Sequence, residues 1–522
     1  MTEELKRKIG QLFMAGFPDD GLNREYIDFC EKYYIGNFTV NANHCVSTEG
    51  LCDIIKKTRE NTYRVTGQYP LIEIDQEGGW VTRFYEGAAM LSGAMSYTAS
   101  GADADKMYRV GKRIGGILRA VGCNVNDCPV LDVNIDPDNP IIGTRSYGED
   151  AEAVIKSALP FMKGMQSQKI ISAVKHYPGH GNVSGDTHLD VVHNNVDADT
   201  LRKTEFLPFK TLFDEGAGAI MTAHVVHDAF SSVPSTVSYE IMTELLRDEQ
   251  GFRGLAITDA MGMLGLEKLY PDGESAVRAI LAGCDVLLYY NFEYKAVENA
   301  MRAVYAAVES GEITEERIDL SYNRIVAQKE KFDIASAEPD LELAKKLIYN
   351  EAEIAENFED KLSAITCIKD DGVLSSLADK RILCISPICD ALRGVEEKRR
   401  QTLSFADIFG EVFENAEGVV SSLEGLITEV EEALAGEFDV AVVGIFDARN
   451  FESQLEIVEA ALKTGKPVVA VLLRTPYDYR YVKDCNAVIT GYEYTMLAAK
   501  AIAAAMKNCD YRGEMPVTLP GI

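Results

Sequence analysis

Residues 71–79 read Leu-Ile-Glu-Ile-Asp-Gln-Glu-Gly-Gly, a short apolar run that ends in a polar turn with two glycines. Short β-rich runs bounded by turn residues are typical of buried strands. The chain contains eight such runs, which are Gln11–Phe17, Ile35–Asn41, Leu71–Asp75, Asn124–Asp132, Ser172–His176, Ala219–Val225, Leu255–Asp259 and Asp285–Tyr290. The segments between them carry apolar residues at the three- and four-residue spacing of amphipathic helices, for instance at Ala102–Val121, Glu149–Gln168, Asp199–Glu215 and Ser238–Arg247. Eight alternations of strand and helix predict a (β/α)8 TIM-like barrel.

A second alternation of strand and helix follows the barrel. It begins after a charged helical stretch at Asp340–Lys361, and its apolar runs are Arg381–Ile388, Val440–Phe446, Val468–Leu473 and Ala487–Gly491. These runs predict a smaller three-layer α/β sandwich domain with a largely parallel sheet. We expect the barrel at residues 1–335, a helical linker at 336–365 and the sandwich at 366–522.

Composition and net charge argue against some classes of binding partner. The 522 residues exceed one ordinary hydrophobic core, and 82 acidic against 52 basic residues give a net charge of -30. Such a charge repels phosphate backbones and anionic lipids, so neither nucleic acid nor a membrane is an expected partner. The 11 cysteines are scattered without paired spacing and read as reduced thiols. With no apolar segment of a secretory signal near the first residues, we expect a cytoplasmic protein.

Polar side chains end several of the predicted strands. Asp75, Asp132, His176, His224 and Asp259 all fall at the carboxyl end of a run. Barrel active sites are built at this end, although aspartate also caps helices and makes turns there. The series as a whole favours an active site.

Residues 175–188 read Lys-His-Tyr-Pro-Gly-His-Gly-Asn-Val-Ser-Gly-Asp-Thr-His and hold three of the seven histidines. The four-residue spacing of His176 and His180 would suit two metal ligands on one helix face. Pro178 and Gly179 break any helix between them, so we expect no metal and no cofactor.

Asp186 and His188 at the end of this segment form a candidate acid/base pair. Alternate residues of an extended chain share a face, and a carboxylate beside an imidazole favours its protonated form. His188 is then able to donate a proton to a leaving oxygen and to take one from water. The alternative is a pair that only stabilises a long loop. The glycines of the loop predict that it closes over bound substrate.

Two further segments carry candidate sugar chemistry. In Gly254–Met263, Asp259 ends an apolar strand and is placed to attack an anomeric carbon, giving a glycosyl ester that water hydrolyses. After the run at 71–75, Asp75 is able to accept hydrogen bonds from sugar hydroxyls and Arg83 to donate them. Trp80, the only tryptophan, either stacks on a sugar or covers the barrel rim, and we favour the rim.

These three segments, in this order and spacing, resemble the family-three glycoside hydrolases, particularly their β-N-acetylglucosaminidase branch. The sequence Lys-His-aromatic-Pro-Gly-His-Gly, four residues, then Asp-Ser/Thr-His is that branch's own signature, and the match at 175–188 is complete. The resemblance continues through Pro129–Asn134 and Ile142–Tyr147. More loosely, residues 473–478 and 519–521 resemble the sandwich that follows the barrel in two-domain members.

The resemblance implies a retaining exo-β-N-acetylglucosaminidase that acts on a small carbohydrate through a covalent intermediate. It implies Asp259 as nucleophile, His188 as acid/base and Asp186 as its partner. It also implies contacts to the sugar from Asp75, Arg83, Arg145, Lys175 and His176. One departure is Trp80, which stands where many members carry an arginine, so selectivity for the group beyond the scissile bond is open.

Four alternatives remain at this point. The same site is able to perform phosphorolysis, because a neutral histidine repels phosphate less than a carboxylate base does. A β-glucosidase or xylosidase would need a carboxylate acid/base from elsewhere in the chain. A non-catalytic sugar-binding protein and a metallohydrolase are the other two. The oligomeric state and the natural glycoside are left open by the sequence.

Overall fold

Eight parallel strands close into a barrel in the computed structural model, which describes residues 1–18, 21–84, 91–187, 190–388, 404–423 and 425–520. In chain order and in barrel order they are β1 Phe13–Gly16, β2 Asn37–Val40, β3 Leu71–Ile74, β4 Val125–Asn126, β5 Ile171–Tyr177, β6 Ala219–Thr222, β7 Leu255–Ile257 and β8 Leu287–Tyr289. β8 pairs with β1 in parallel, and Ile257 pairs with Val286 to close the ring. Each predicted run contributes one strand, so the predicted barrel is confirmed.

Helices surround the barrel and keep its strands buried. Every residue of β1, β2 and β3 is buried, as expected for parallel strands covered by helices. The helices of this part are Glu3–Gly10, Arg24–Tyr33, Thr48–Thr66, Ala94–Ala99, Ala104–Val121, Ala151–Gln166, Ala198–Lys203, Phe206–Asp214, Leu264–Glu267, Glu274–Ala282, Tyr294–Ser310 and Glu315–Lys331, with a π-helix at Glu240–Glu249. Short 3-10 turns lie at Ala42–Cys45, Gly143–Arg145, Ser235–Val237 and Ile334–Ser336.

Three predicted elements differ from the structure. The run Asn124–Asp132 forms a strand only over Val125–Asn126, because Pro129 has no N–H for a sheet and the Cys128 N–H turns back to the Asn126 carbonyl. The predicted helical stretches Asp199–Glu215 and Asp340–Lys361 are each two helices, broken at residues 204–205 and 349–350. The first difference leaves residues 127–132 as a loop over the carboxyl end of the barrel.

The second sheet has six strands, and its order confirms the predicted α/β sandwich. The strands are β9 Thr366–Asp370, β10 Ile382–Pro387, β11 Ala416–Ser421, β12 Val440–Ile445, β13 Val468–Leu472 and β14 Ala487–Thr490, in the spatial order 9-14-13-12-10-11. Only β9 is antiparallel to its neighbour. Apolar clusters lie on both faces of the sheet, which gives three layers. Its helices are Phe405–Val412, Thr428–Leu434, Leu455–Lys463 and Met496–Asn508, with 3-10 turns at Leu374–Asp379, Glu452–Gln454 and Pro476–Tyr481.

Two helices join the sheets. Leu341–Ile348 packs on barrel helices, whereas Glu351–Ala364 packs on the helix Met496–Asn508 of the sandwich. Asn350 separates them by capping the second helix, since its side chain accepts the N–H groups of Ala352 and Glu353. The exact domain boundaries stay a prediction. Within the described ranges, none of the helices combines the length and the apolar character needed to cross a bilayer.

The sandwich lies directly against the loops at the carboxyl end of the barrel. Glu493 forms a buried ion pair with Lys361 and accepts the Gly93 N–H at 2.6 Å. The Asn134 amide donates to the Tyr477 hydroxyl at 2.9 Å. These contacts fix the rim of the barrel from the side of the second domain.

Candidate active site

The carboxyl ends of the barrel strands enclose a cleft of about 610 Å³. Six of the eight predicted site residues line it, namely Asp75, Arg83, Arg145, Lys175, His176 and Asp259. Asp186 belongs to the half-buried loop beside the cleft and is not among the lining residues. His188 lies outside the described residues.

Five paired side chains form what we call the floor of the cleft, namely Lys175, Asp75, Glu77, Arg83 and Arg145. Lys175 is bound to both carboxylates of this set. Its Nζ lies 2.7 Å from Asp75 Oδ1 and 2.6 Å from Glu77 Oε1, and all three side chains are largely buried. Arg83 Nη2 donates to the other oxygen of Asp75 at 3.1 Å. Buried charges are tolerated when they are paired in this way, so the floor is a preformed array of donors and acceptors.

Glu77, which was not among the predicted site residues, connects two of the predicted cations. Arg145 binds it with two donors, Nε to Oε2 at 2.9 Å and Nη2 to Oε1 at 2.7 Å. Burial alone would raise the pKa of Glu77, but the charges of Arg145 and Lys175 outweigh it and the pKa is lowered. The Gly78–Gly79 turn that follows has positive φ at both residues, and a Cβ at Gly79 would lie 2.8 Å from Glu493 of the second domain. The glycine pair is therefore required by the backbone and by the domain contact.

Asp132 orients the two histidines that have metal-like spacing. Its Oδ2 lies 2.6 Å from His176 Nδ1, and its Oδ1 accepts the backbone N–H of His180 at 2.7 Å. His176 Nε2 lies 3.4 Å from Arg145 Nη2 and is held at the cleft. Burial lowers the pKa of His180 to about 4, so its ring is neutral near pH 7, and its Nε2 lies 3.1 Å from Thr187 Oγ1. Both histidines thus have structural partners in Asp132 and Thr187.

Asp259 follows β7, and both its backbone and its side chain are hydrogen-bonded. Its backbone N–H donates to Thr222 Oγ1 at 3.2 Å, and its Oδ1 accepts the Ala260 N–H at 2.7 Å. His224, another strand-end residue, braces the same turn with Nε2 3.2 Å from the Ala260 carbonyl and Nδ1 2.7 Å from Thr236 Oγ1. The Asp259 carboxylate is consequently oriented by hydrogen bonds within the protein.

The glycine-rich loop after β5 is anchored at its base. His227 Nε2 lies 3.1 Å from the Gly179 carbonyl, and a Cβ at Gly181 would lie 1.8 Å from the Val133 carbonyl, so only glycine fits. Glu205 is buried beside Gly179, where its two carboxylate oxygens each lie 3.2 Å from Asn194 Nδ2. Burial raises the pKa of Glu205 to about 8. No motif in the sequence marked His227 or Glu205, because each lies far along the chain from the loop that it supports.

Trp80 lies at the barrel rim and does not line the cleft. Its ring centroid is 5.2 Å from that of Phe446, and the Arg474 guanidinium lies 5.3 Å above the ring. Both partners belong to the second domain. The rim interpretation of Trp80 therefore fits the structure better than stacking on a sugar.

Comparison with known proteins places this geometry in a family. The family model described as the glycosyl hydrolase family 3 N terminal domain matches residues 4–327. Beta-hexosaminidase A from Pseudoalteromonas piscicida is 28% identical over 551 residues, which cover 95% of this chain and 91% of the relative. A beta-hexosaminidase from Chromobacterium violaceum is 34% identical over 241 residues, 45% of this chain and 67% of the relative.

A solved structure agrees over both domains. The glycoside hydrolase family 3 beta-N-acetylglucosaminidase from Paenibacillus sp. str. FPU-7 has a TM-score of 0.92 at 28% identity, over 99% of each chain. The chain is therefore a glycoside hydrolase that belongs to glycosyl hydrolase family 3, in its β-N-acetylglucosaminidase branch, which confirms the resemblance drawn from the sequence.

Proposed function

We propose that the enzyme is a retaining exo-β-N-acetylglucosaminidase, with Asp259 as nucleophile and His188 with Asp186 as the acid/base pair. The observation that carries this proposal is the cleft itself, in which the oriented Asp259 carboxylate and the charged floor around Lys175 line one cavity. The names of the relatives support the choice of sugar.

In the first step Asp259 attacks the anomeric carbon while the bond to the leaving oxygen breaks. His188 gives its proton to that oxygen, and Asp186 stabilises the charge of the imidazolium beforehand. A glycosyl ester on Asp259 results. In the second step His188 takes a proton from water, the water oxygen attacks the anomeric carbon, and the ester bond breaks. Two inversions leave the configuration unchanged.

The floor supplies the recognition of a terminal sugar. Lys175, Arg83 and Arg145 donate to hydroxyl groups, while Asp75 accepts from them. Beneath the floor the barrel is filled with buried side chains, as barrels of this kind are. A sugar chain cannot continue through this packed interior, which supports cleavage from the end of a glycan.

Trapping of the glycosyl ester tests the nucleophile. A slowly turned-over fluorinated N-acetylglucosaminide should label the peptide that contains Asp259, as located by mass spectrometry. Asp259→Asn should lose the label and reduce kcat by about 10⁴-fold or more. The exposed Asp248→Asn is the matched control and should behave as wild type.

Three outcomes would contradict parts of this proposal. Label on another residue overturns Asp259 as nucleophile. A glycosyl phosphate product that forms only in phosphate buffer replaces hydrolysis with phosphorolysis. Equal or better turnover of nitrophenyl β-glucoside or β-xyloside than of the N-acetylglucosaminide overturns the choice of sugar.

A further inference from the structure

Two buried carboxyl groups with no assigned role border the cleft beside the floor. Glu73 is on β3 two residues before Asp75, so that both side chains face the barrel interior, and Asp127 follows β4. Both border the cleft, yet their side chains are 0% and 1% exposed. Within the described residues, neither carboxylate oxygen of Glu73 has a hydrogen-bond partner, and neither does Oδ1 of Asp127.

Ionised carboxylates only accept hydrogen bonds, so two facing carboxyl groups have no donor between them unless one carries a proton. Burial raises the pKa of Glu73, and burial together with the negative charge of Glu73 raises the pKa of Asp127 well above its ordinary range. Like charges held in a dry site cannot both ionise near neutral pH, and such pairs share a proton. Thr39 on β2 is the neutral hydroxyl beside Glu73.

The basic side chains around the pair already have other carboxylate partners. Arg83 and Lys175 pair with Asp75, Arg145 and Lys175 pair with Glu77, and His176 Nδ1 lies 2.6 Å from Asp132. The other titratable neighbours are the thiols of Cys123 and Cys128, whose pKa values burial raises well above the ordinary value, so both are neutral. Among the described residues, each of these basic side chains is therefore engaged by a carboxylate other than Glu73 or Asp127.

We propose that Glu73 and Asp127 share one proton and act as positioning residues that hold Lys175 ready for the terminal sugar. Two of the three Lys175 donors go to Asp75 and Glu77, and the third is available to a sugar hydroxyl. Loss of the shared proton puts a second negative charge on the pair, and Asp127 then competes for Lys175. This inference rests on the proposed function for the identity of the sugar.

The kinetic consequence is a rise in KM with pH. Lys175 holds the sugar in the ground state and the transition state alike, so its displacement weakens binding more than it slows the chemical step. For wild type we expect KM, and the Kd of free N-acetylglucosamine, to rise about tenfold above the pKa of the pair, as for one lost charged hydrogen bond. kcat should change much less over the same range.

Glu73→Gln makes the hydrogen bond permanent, because its amide donates to Asp127 without a titrating proton. KM and Kd of this variant should stay flat over the pH range in which those of wild type rise. Asp127→Asn should also keep KM and Kd flat over this pH range, because its amide donates to Glu73. It replaces Glu73→Gln in the test if that variant does not fold. The exposed Glu152→Gln is the matched control and should keep the wild-type pH profile.

Infrared difference spectroscopy reads the shared proton without any substrate. Wild type at neutral pH should show the C=O band of one protonated carboxylic acid that Glu73→Gln and Asp127→Asn both lack. An unchanged band in both variants overturns the shared proton, and an unchanged rise of KM overturns its role at Lys175. A wild type that neither binds nor cleaves N-acetylglucosaminides defeats the proposed function instead, and the infrared band still decides the state of the pair.

Discussion

The floor of the cleft and the loop beside it differ in how firmly the fold holds them. On the floor, Lys175, Asp75 and Glu77 are largely buried and joined by ion pairs of 2.6 and 2.7 Å. In the loop, Ser184 is exposed and donates to Asp136, Asp186 is half-buried, and His227 contacts the Gly179 carbonyl at the base. The floor is thus held by buried ion pairs before a sugar arrives, whereas the described part of the loop includes exposed and half-buried residues.

The floor and the loop are therefore expected to contribute to different steps, substrate binding for the floor and catalysis for the loop. A preformed floor reduces the ordering that binding requires, because its side chains are already immobilised by one another. Closure of the loop over the bound sugar, which its glycines predict, would exclude water and complete the site in the complex. We therefore expect changes in the floor to affect stability and KM, and changes in the loop to affect kcat with little loss of stability.

Between floor and loop, the larger effect on kcat is expected from His188→Asn in the loop. Loss of the acid/base should lower kcat by about 10²–10⁴-fold for an alkyl or sugar leaving group. A dinitrophenyl leaving group needs no proton, so the step that forms the ester should be affected far less. Rapid-quench kinetics with both substrates measure this difference. The melting temperature should stay within a degree or two of wild type.

The matched control is His193→Asn, an exposed histidine that lies 2.9 Å from Asp228. It should leave both substrates unaffected. An equal loss of rate with both leaving groups in His188→Asn would mean that the residue does not act as the acid.

On the floor, Lys175→Met is expected to lower the stability of the protein and to weaken substrate binding, rather than to slow proton transfer. It leaves Asp75 and Glu77 buried without this cation, and removing one partner of a buried pair lowers the free energy of unfolding by about 3–5 kcal/mol. KM should also rise, since one sugar contact is lost. Denaturant unfolding and steady-state kinetics measure the two effects.

Lys163→Met provides the comparison on the surface. Lys163 is half-exposed in its 2.6 Å ion pair with Glu215, and such pairs contribute less than about 1 kcal/mol. Equal stability losses in the two variants would show that the floor is not held by its buried pairs, and the contrast between floor and loop would fail.

Sequence patterns predicted the parts of this molecule that depend on local periodicity. All eight barrel runs and the four apolar runs of the second sheet are strands, because continuous burial leaves a continuous apolar pattern. Two strands of the sandwich, Thr366–Asp370 and Ala416–Ser421, were missed. Both are partly exposed edge strands whose residues alternate irregularly between polar and apolar.

The site was predicted residue by residue but not as a network. Six candidates meet at one cleft, yet nothing in the sequence indicated that Glu77 bridges Lys175 to Arg145 or that Asp132 orients His176. These contacts join residues that are distant in the sequence, and a local sequence pattern carries no information about them. The roles of the candidates, including His188 outside the described residues, stay predictions.

The base of the loop is where the two regions meet, and Glu205→Gln tests it through the pH dependence of stability. The pKa of Glu205 in the folded protein is raised to about 8 by burial, against about 4.3 for an exposed glutamate. Between these values the folded state holds a proton that the unfolded state has lost. The free energy of unfolding of wild type therefore falls as pH rises through this window, by at most about 1.4 kcal/mol per pH unit.

Glutamine cannot ionise, so the variant should lack this contribution, and the difference in unfolding free energy between the two proteins should grow from pH 5 to 8 and then level off. Ionised Glu205 beside Gly179 also disturbs the base of the loop, so kcat of wild type should fall above pH 8 more steeply than that of the variant. The exposed Glu244→Gln should track wild type in both measurements. Parallel stability curves for wild type and Glu205→Gln would mean that the base of the loop carries no buried proton on Glu205.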